Sequence, residues 1–167
     1  LSKSTATNIS ATMIRLCTLL LVLLFTSSCD SNNVEPGDFT DIGEALERWQ
    51  NRDFESYTIE QSVLCFCPPP HSFTIEVEAD SIVNIDFEDE DLQGWGLSEE
   101  ELEELAIEKA FTINEVFALI TKNLDSAHEL NVTYDPRYGY PSEVYLDRIK
   151  NAVDEELTIR MSNLSFD

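Results

Sequence analysis

The stretch VLCFCPPPH, residues 63–71, carries the side chains in this chain best suited to chemistry. Cys65 and Cys67 stand one residue apart, and His71 follows three prolines. Two thiolates are half of a tetrahedral metal site and an imidazole is a third ligand, so Cys65, Cys67 and His71 form a candidate soft-metal set. Oxidised, the same sulfurs make a disulfide; reduced, they are buried thiols or a redox centre. Residues i and i+2 of an extended strand share a side, with Cα atoms about 6.6–6.8 Å apart. Disulfides form over about 4.4–6.8 Å, so a pair at a strand end closes only with a bend. Pro68, Pro69 and Pro70 are expected to end the strand and supply that bend. A structural disulfide is the first reading. Free thiols, a soft-metal site and a thiol-redox centre stand as alternatives.

Compartment weighs on that choice. From Met13 the chain reads MIRLCTLLLVLLFTSSCDSNN: Arg15, an apolar run from Leu16 to Phe25, three small residues, then Cys29. This is the pattern of a secretory signal, and the run falls short of the roughly 20 residues that span a bilayer. The cysteine after small residues resembles the bacterial lipobox, although Thr26 stands where leucine is common. The expectation is a signal peptide over 1–28 that starts at Met13, lipidation at Cys29, and a lipid-anchored linker over 29–38. Such a protein sits in the bacterial cell envelope, extracytoplasmic, at the outer membrane or facing the periplasm, and touches the membrane through its N-terminal lipid. Cys17 leaves with the leader and Cys29 is acylated. Cys65 and Cys67 are then the thiols left in oxidising surroundings.

Thirty-three acids against ten bases give a net charge of −23. Such a surface repels nucleic acid, whose partners need basic patches. The sequence has no G-x-S-x-G, no phosphate-cradling glycine loop and no H-E-x-x-H. No catalytic residue and no cofactor is expected, and the chain is read as a monomer. Asp147, Asp154 and Glu155 lie close enough in sequence for an acid/base pair, the weakest of the functional readings. The segment YDPRYGYP supplies a candidate binding loop: Tyr134, Asp135, Tyr138, Gly139, Tyr140 and Pro141. Tyrosine suits half-wet surfaces, but the Pro and Gly spacing equally fits a packed hairpin, and turn chemistry favours the hairpin.

The elements that must position these residues follow from periodicity. Ile42, Ala45, Leu46 and Trp49 share one helical face. Tyr57, Ile59, Val63, Cys65 and Cys67 alternate along a strand, with Gln61 the polar exception. A second strand alternates from Phe73 to Ala79. Asp80 and Ser81 make a turn, and a third strand places Val83, Ile85 and Phe87 on one face. Ser98 with Glu101 and Thr112 with Glu115 are capping boxes. They predict a short exposed helix over 99–109 and a stronger one with Ile113, Val116, Phe117, Ile120 and Leu124 inward. Three more strands follow in LNVTYD, SEVYLD and ELTIRMSNL. The fold predicted is α+β in a single domain over 39–167: an antiparallel sheet with helices packed on one face, possible as two αβββ units.

Several pieces together resemble a bacterial lipoprotein family, the domain of unknown function 6174. They are YTIEQ leading to CFCP, TINEVFALI, VTYDPRYGYP and DEELTIRMSNL. The resemblance runs from about residue 50 to 165, and its most specific parts are the Cys-x-Cys and Gly-Tyr-Pro pieces. It implies a small secreted or lipid-anchored α+β domain and transfers no catalytic residue. The function expected is a non-enzymatic module that binds an envelope protein or a small ligand; the alternative is a soft-metal or thiol-redox protein using Cys65 and Cys67.

Overall fold

The computed structural model describes residues 40–87 and 95–166. The signal, lipobox and linker expected over 1–38, and part of the acidic stretch that follows Asp86, lie outside the described residues. Among the described residues nine elements run in chain order: α1 (Ile42–Gln50), β1 (Tyr57–Leu64), β2 (Ser72–Glu78), β3 (Ser81–Asp86), α2 (Glu99–Lys109), α3 (Ile113–Asn123), β4 (Glu129–Tyr134), β5 (Pro141–Asp147) and β6 (Leu157–Ser165). Among the described residues no helix is long and apolar enough to cross a membrane.

The six strands form one open antiparallel sheet in the order β3-β2-β1-β6-β5-β4. Alternation decides which face is buried. Ile59 pairs with Ile75, Val63 with Ile159 and Ile159 with Val144, and all five are buried. These side chains meet Ala45 and Trp49 of α1, Ala106 of α2, and Ile113, Val116, Phe117 and Ile120 of α3 in one core. All three helices therefore cover the same face, and the fold is α+β as the patterning predicts. The uncovered face carries Thr58, Glu60, Ser62, Thr74, Glu76, Glu143 and Arg160, so it faces water at little cost.

Helix plus three strands occurs twice, with α2 added before the second set. The sheet joins the two sets through β1 and β6, far apart in sequence. The halves share element order and nothing more. Strand for strand β4–β6 run opposite to β1–β3, yet both sets keep the same left-to-right order and the same helix face. No rotation relates two such units.

Four sequence expectations shift, each for a local reason. The β2–β3 turn is Ala79–Asp80, both at positive φ (47° and 62°), and Ser81 already belongs to β3. That is the backbone a two-residue hairpin turn needs for its twist to match the strands. In β3 the register slips between Glu76 and Val77, leaving Val83 as an extra residue. Ile82 and Ile85 then pack on the core while Val83 is 52% exposed. Leu124 caps the end of α3 and is half exposed, because the inward stripe ends one turn earlier. Helix α2 is not merely a surface helix: Leu102 and Ala106 are buried. A second bulge, in β6 opposite Thr58–Glu60, contains Asn163 at φ 55°. It reverses the alternation, so that Leu164 and Phe166 join the core after Ile159 and Met161. Phe166 stacks on Phe54 with ring centres 3.9 Å apart.

Gln61, the polar residue on the buried face of β1, is 2% exposed. Its Nε2 donates to the Phe111 carbonyl, and its Oε1 accepts from the Phe111 N–H at 3.2 Å. Phe111 lies in the break between α2 and α3, where neither helix can use its backbone groups. Two residues on, the Ile113 N–H donates to the Tyr57 hydroxyl at 3.0 Å. Side chains of β1 thus tie the helical layer to the sheet. Gln61→Met, close in volume but without either bond, leaves two part-buried backbone groups unpaired. It is expected to cost about 2–6 kcal/mol, at about 1–3 for each group. Urea unfolding should show this as a lower midpoint at unchanged slope.

Candidate functional site

β1 ends at Leu64, so Cys65 and Cys67 stand in the turn after the strand and not on its face as the alternation predicted. The prolines explain this: they carry no N–H for a ladder, and the chain leaves the sheet before reaching them. The bend brings the two Cα atoms to 5.3 Å, inside the usual disulfide range of about 4.4–6.8 Å, and the sulfurs lie at bonding distance.

The base of the turn is held independently of sulfur. The Val63 N–H donates to the His71 carbonyl at 2.7 Å, and His71 Nδ1 lies 3.2 Å from the Val63 carbonyl. A carbonyl only accepts, so Nδ1 carries the proton and Nε2 keeps the lone pair. Pro69 and Pro70 are buried. Lys109, the last residue of α2, donates from Nζ to the carbonyls of Pro68 and of Pro70, the latter at 2.9 Å. Burial pushes the Lys109 ammonium below its ordinary pKa. Between the cysteines, Phe66 is 81% exposed.

Among the described residues, Cys65, Cys67 and His71 form a group able to share a metal ion: one donor atom of each lies within 4.8 Å of the others, and all three are half-buried. The sequence-predicted metal set is therefore brought together. Asp147 and Glu155 both accept from the Ile149 N–H, at 3.1 and 2.5 Å, which uses them to shape the β5–β6 loop. Asp154 sits beside them at φ 67°.

The YDPRYGYP residues form the β4–β5 hairpin and turn toward the core. Asp135 Oδ1 accepts from the N–H groups of Arg137 and Tyr138. Gly139 has φ +77°, and a Cβ there would meet the Ala45 carbonyl of α1 at 2.5 Å, so only glycine lets the hairpin lie this close to the helix. Tyr140 and Pro141 are buried, Tyr134 stacks on Phe117, and Tyr138 meets Phe54 and Phe166 edge-on. Trp49 sits among Phe54, Tyr57 and Tyr140, and its indole N–H donates to Asn114 of α3 at 2.9 Å. Arg52 lies over the same indole at 4.1 Å. Aromatic spacing between 134 and 140 signalled these contacts, but their partners Trp49, Phe54, Phe117 and Phe166 lie too far away in sequence to be read.

Burial pushes the phenols of Tyr57 and Tyr140 up to about 12, helped at Tyr140 by the Asp135 carboxylate. Both stay protonated at neutral pH; Tyr57 serves packing and hydrogen bonding, and Tyr140 packs against Trp49. Their folded pKa exceeds the unfolded value near 10, so their contribution is complete below pH 10 and is lost as pH rises through about 12. Each is expected to contribute on the order of 2–3 kcal/mol, at about 1.4 per pKa unit. Urea midpoints should fall steeply above pH 10, and tyrosinate absorbance should show two phenols that ionise late. Tyr57→Phe should flatten that pH slope.

A family model described as a family of unknown function, DUF6174, matches residues 41–166. No curated protein and no solved structure matches the chain.

Proposed function

Starting from the family of unknown function DUF6174, to which this chain belongs, we propose a non-enzymatic interaction module of the bacterial cell envelope. Acyl chains on Cys29 tether it to a membrane, residues 29–38 give it reach, and the turn from Cys65 to Cys67 is the part that meets an envelope protein. The observation that carries this reading is Phe66, a large aromatic left 81% exposed at the tip of a turn fixed on both sides.

Interfaces draw most of their energy from a few aromatic or arginine anchors. Such an anchor loses least on binding when its backbone is already ordered. Joined cysteines on either side of Phe66 would restrict it further. The Val63–His71 bonds and the Lys109 bridge hold the flanks, so the ring is presented and not merely unburied. The acidic surface, with a net charge of −23 over the chain, favours a basic contact surface on the partner.

Anchoring and capture are tested separately. The mass of the chain recovered from bacterial membranes should match an acylated N-terminus at Cys29, and Cys29→Ser should move the protein to the soluble fraction. A photoreactive residue at position 66 should give a discrete protein adduct in whole envelopes. The same residue at Val153, equally exposed at 80%, should not. Phe66→Ala should shift stability by less than about 0.5 kcal/mol and weaken capture of that partner by roughly thirtyfold or more, a hot-spot loss of about 2 kcal/mol. Equal adducts from positions 66 and 153 would remove Phe66 from the interface.

A further inference from the structure

We propose that the reduced turn is a site for one monovalent copper ion, ligated by the Cys65 and Cys67 thiolates and by His71. The inference stands apart from the partner-binding role of Phe66. Three observations carry it. In the oxidised turn the two sulfurs and a ring nitrogen of His71 lie within 4.8 Å of one another, so reduction leaves three donors close to the span bridged by an ion bonded at about 2.0–2.3 Å. Nδ1 of His71 is committed to the Val63 carbonyl, which fixes the ring and leaves Nε2 as the lone-pair nitrogen. All three residues are half-buried, open to an entering ion yet shielded from bulk water.

The donor set selects the metal. Two thiolates and one imidazole are soft, and soft sets favour Cu(I) and zinc. Structural zinc sites are closed by four protein ligands, and a zinc held by three needs water or substrate as its fourth. Among the described residues this group offers three, a number that satisfies Cu(I). The net charge of −23 concentrates cations around the chain. Access is governed by oxidation state. A dithiol reductant gives two electrons and two protons to the Cys65–Cys67 disulfide and leaves as its own disulfide. Cu(I) then displaces the two thiol protons as the Cu–S bonds form. The oxidised turn has no thiolate to offer.

The test uses the full chain with Cys17→Ser and Cys29→Ser, so that no other thiol competes. After reduction under argon, Cu(I) is titrated against a chromophoric chelator, and bound copper is examined by X-ray absorption. One equivalent per chain, with two sulfur scatterers and one nitrogen, is the expected result. The oxidised chain should take none, and Cys65→Ser and Cys67→Ser should each abolish uptake. Removing an outer partner of a ligand costs roughly ten- to hundredfold in affinity, so His71→Ala, which removes a ligand, should cost at least that much. Circular dichroism checks that each variant is folded, and the scatterer count of the parent chain with Cys17→Ser and Cys29→Ser stands even if one is not. Uptake that survives Cys65→Ser with Cys67→Ser, an affinity unmoved by His71→Ala, or a site that holds zinc and refuses Cu(I) would each overturn the assignment.

Discussion

A chain that leaves one helix and starts another in a covered layer must turn its backbone hydrogen-bonding groups toward something. At Phe111 they turn into the side chain of Gln61. The amide presents an N–H donor and a carbonyl acceptor in the same plane, so it pairs with the Phe111 N–H and carbonyl much as a neighbouring strand would. An apolar residue at position 61 would continue the alternation of Tyr57, Ile59 and Val63, and the break between α2 and α3 would then have part-buried, unpaired groups. Tyr57 adds a second tie by accepting from Ile113, beside the Thr112 cap that starts α3. The helical layer is therefore registered on β1 at two points, not held by apolar contact alone, which has no direction.

That registration reaches the cysteine turn. β1 lies near the centre of the sheet and runs straight into it, so its position is fixed by neighbours on both sides. Because Phe111 is pinned to Gln61, the C-terminus of α2 is pinned as well, and Lys109 is carried to the carbonyls of Pro68 and Pro70. The prolines have no N–H to give a ladder, but their carbonyls still need donors. An ammonium with three donors at a helix C-terminus answers that need and also suits the helix dipole. The turn is thus a consequence of the core on its strand side and of α2 on its proline side.

Local signals in the sequence proved reliable where the physics is local. The boxes Ser98–Glu101 and Thr112–Glu115 close within four residues, and both helices start where the boxes place them. Inward faces of period two were legible for β1, β2 and β6 because one side of the sheet is covered and the other is wet. The bulges at Val83 and Asn163 were not legible, since an extra residue costs a strand pattern nothing until its partner is known. Pairing of β1 with β6 joins segments about a hundred residues apart, and no periodicity within either strand encodes it. Cys65, Cys67 and His71 could be grouped by spacing. Their support by Lys109 could not, because α2 meets the turn only through the tertiary fold.

The turn can exist with its sulfurs joined or apart, and its flanks explain why the rest of the domain need not respond. The hydrogen bonds of Val63 with His71 and of Lys109 with Pro68 and Pro70 involve no sulfur atom. Opening the disulfide releases only residues 65–67, while Ser62 and Ser72 still pair and β1 keeps its ladder to β6. A structural staple deep in a core would couple oxidation to global stability by constraining a long loop of the unfolded chain. A bridge that skips one residue constrains almost none of it. The pair therefore adds little to folding free energy in this fold, and what it sets is local: whether Phe66 stands on a closed ring or beside two free thiolates. Chemistry at this turn can change what the protein presents without changing what the protein is folded into.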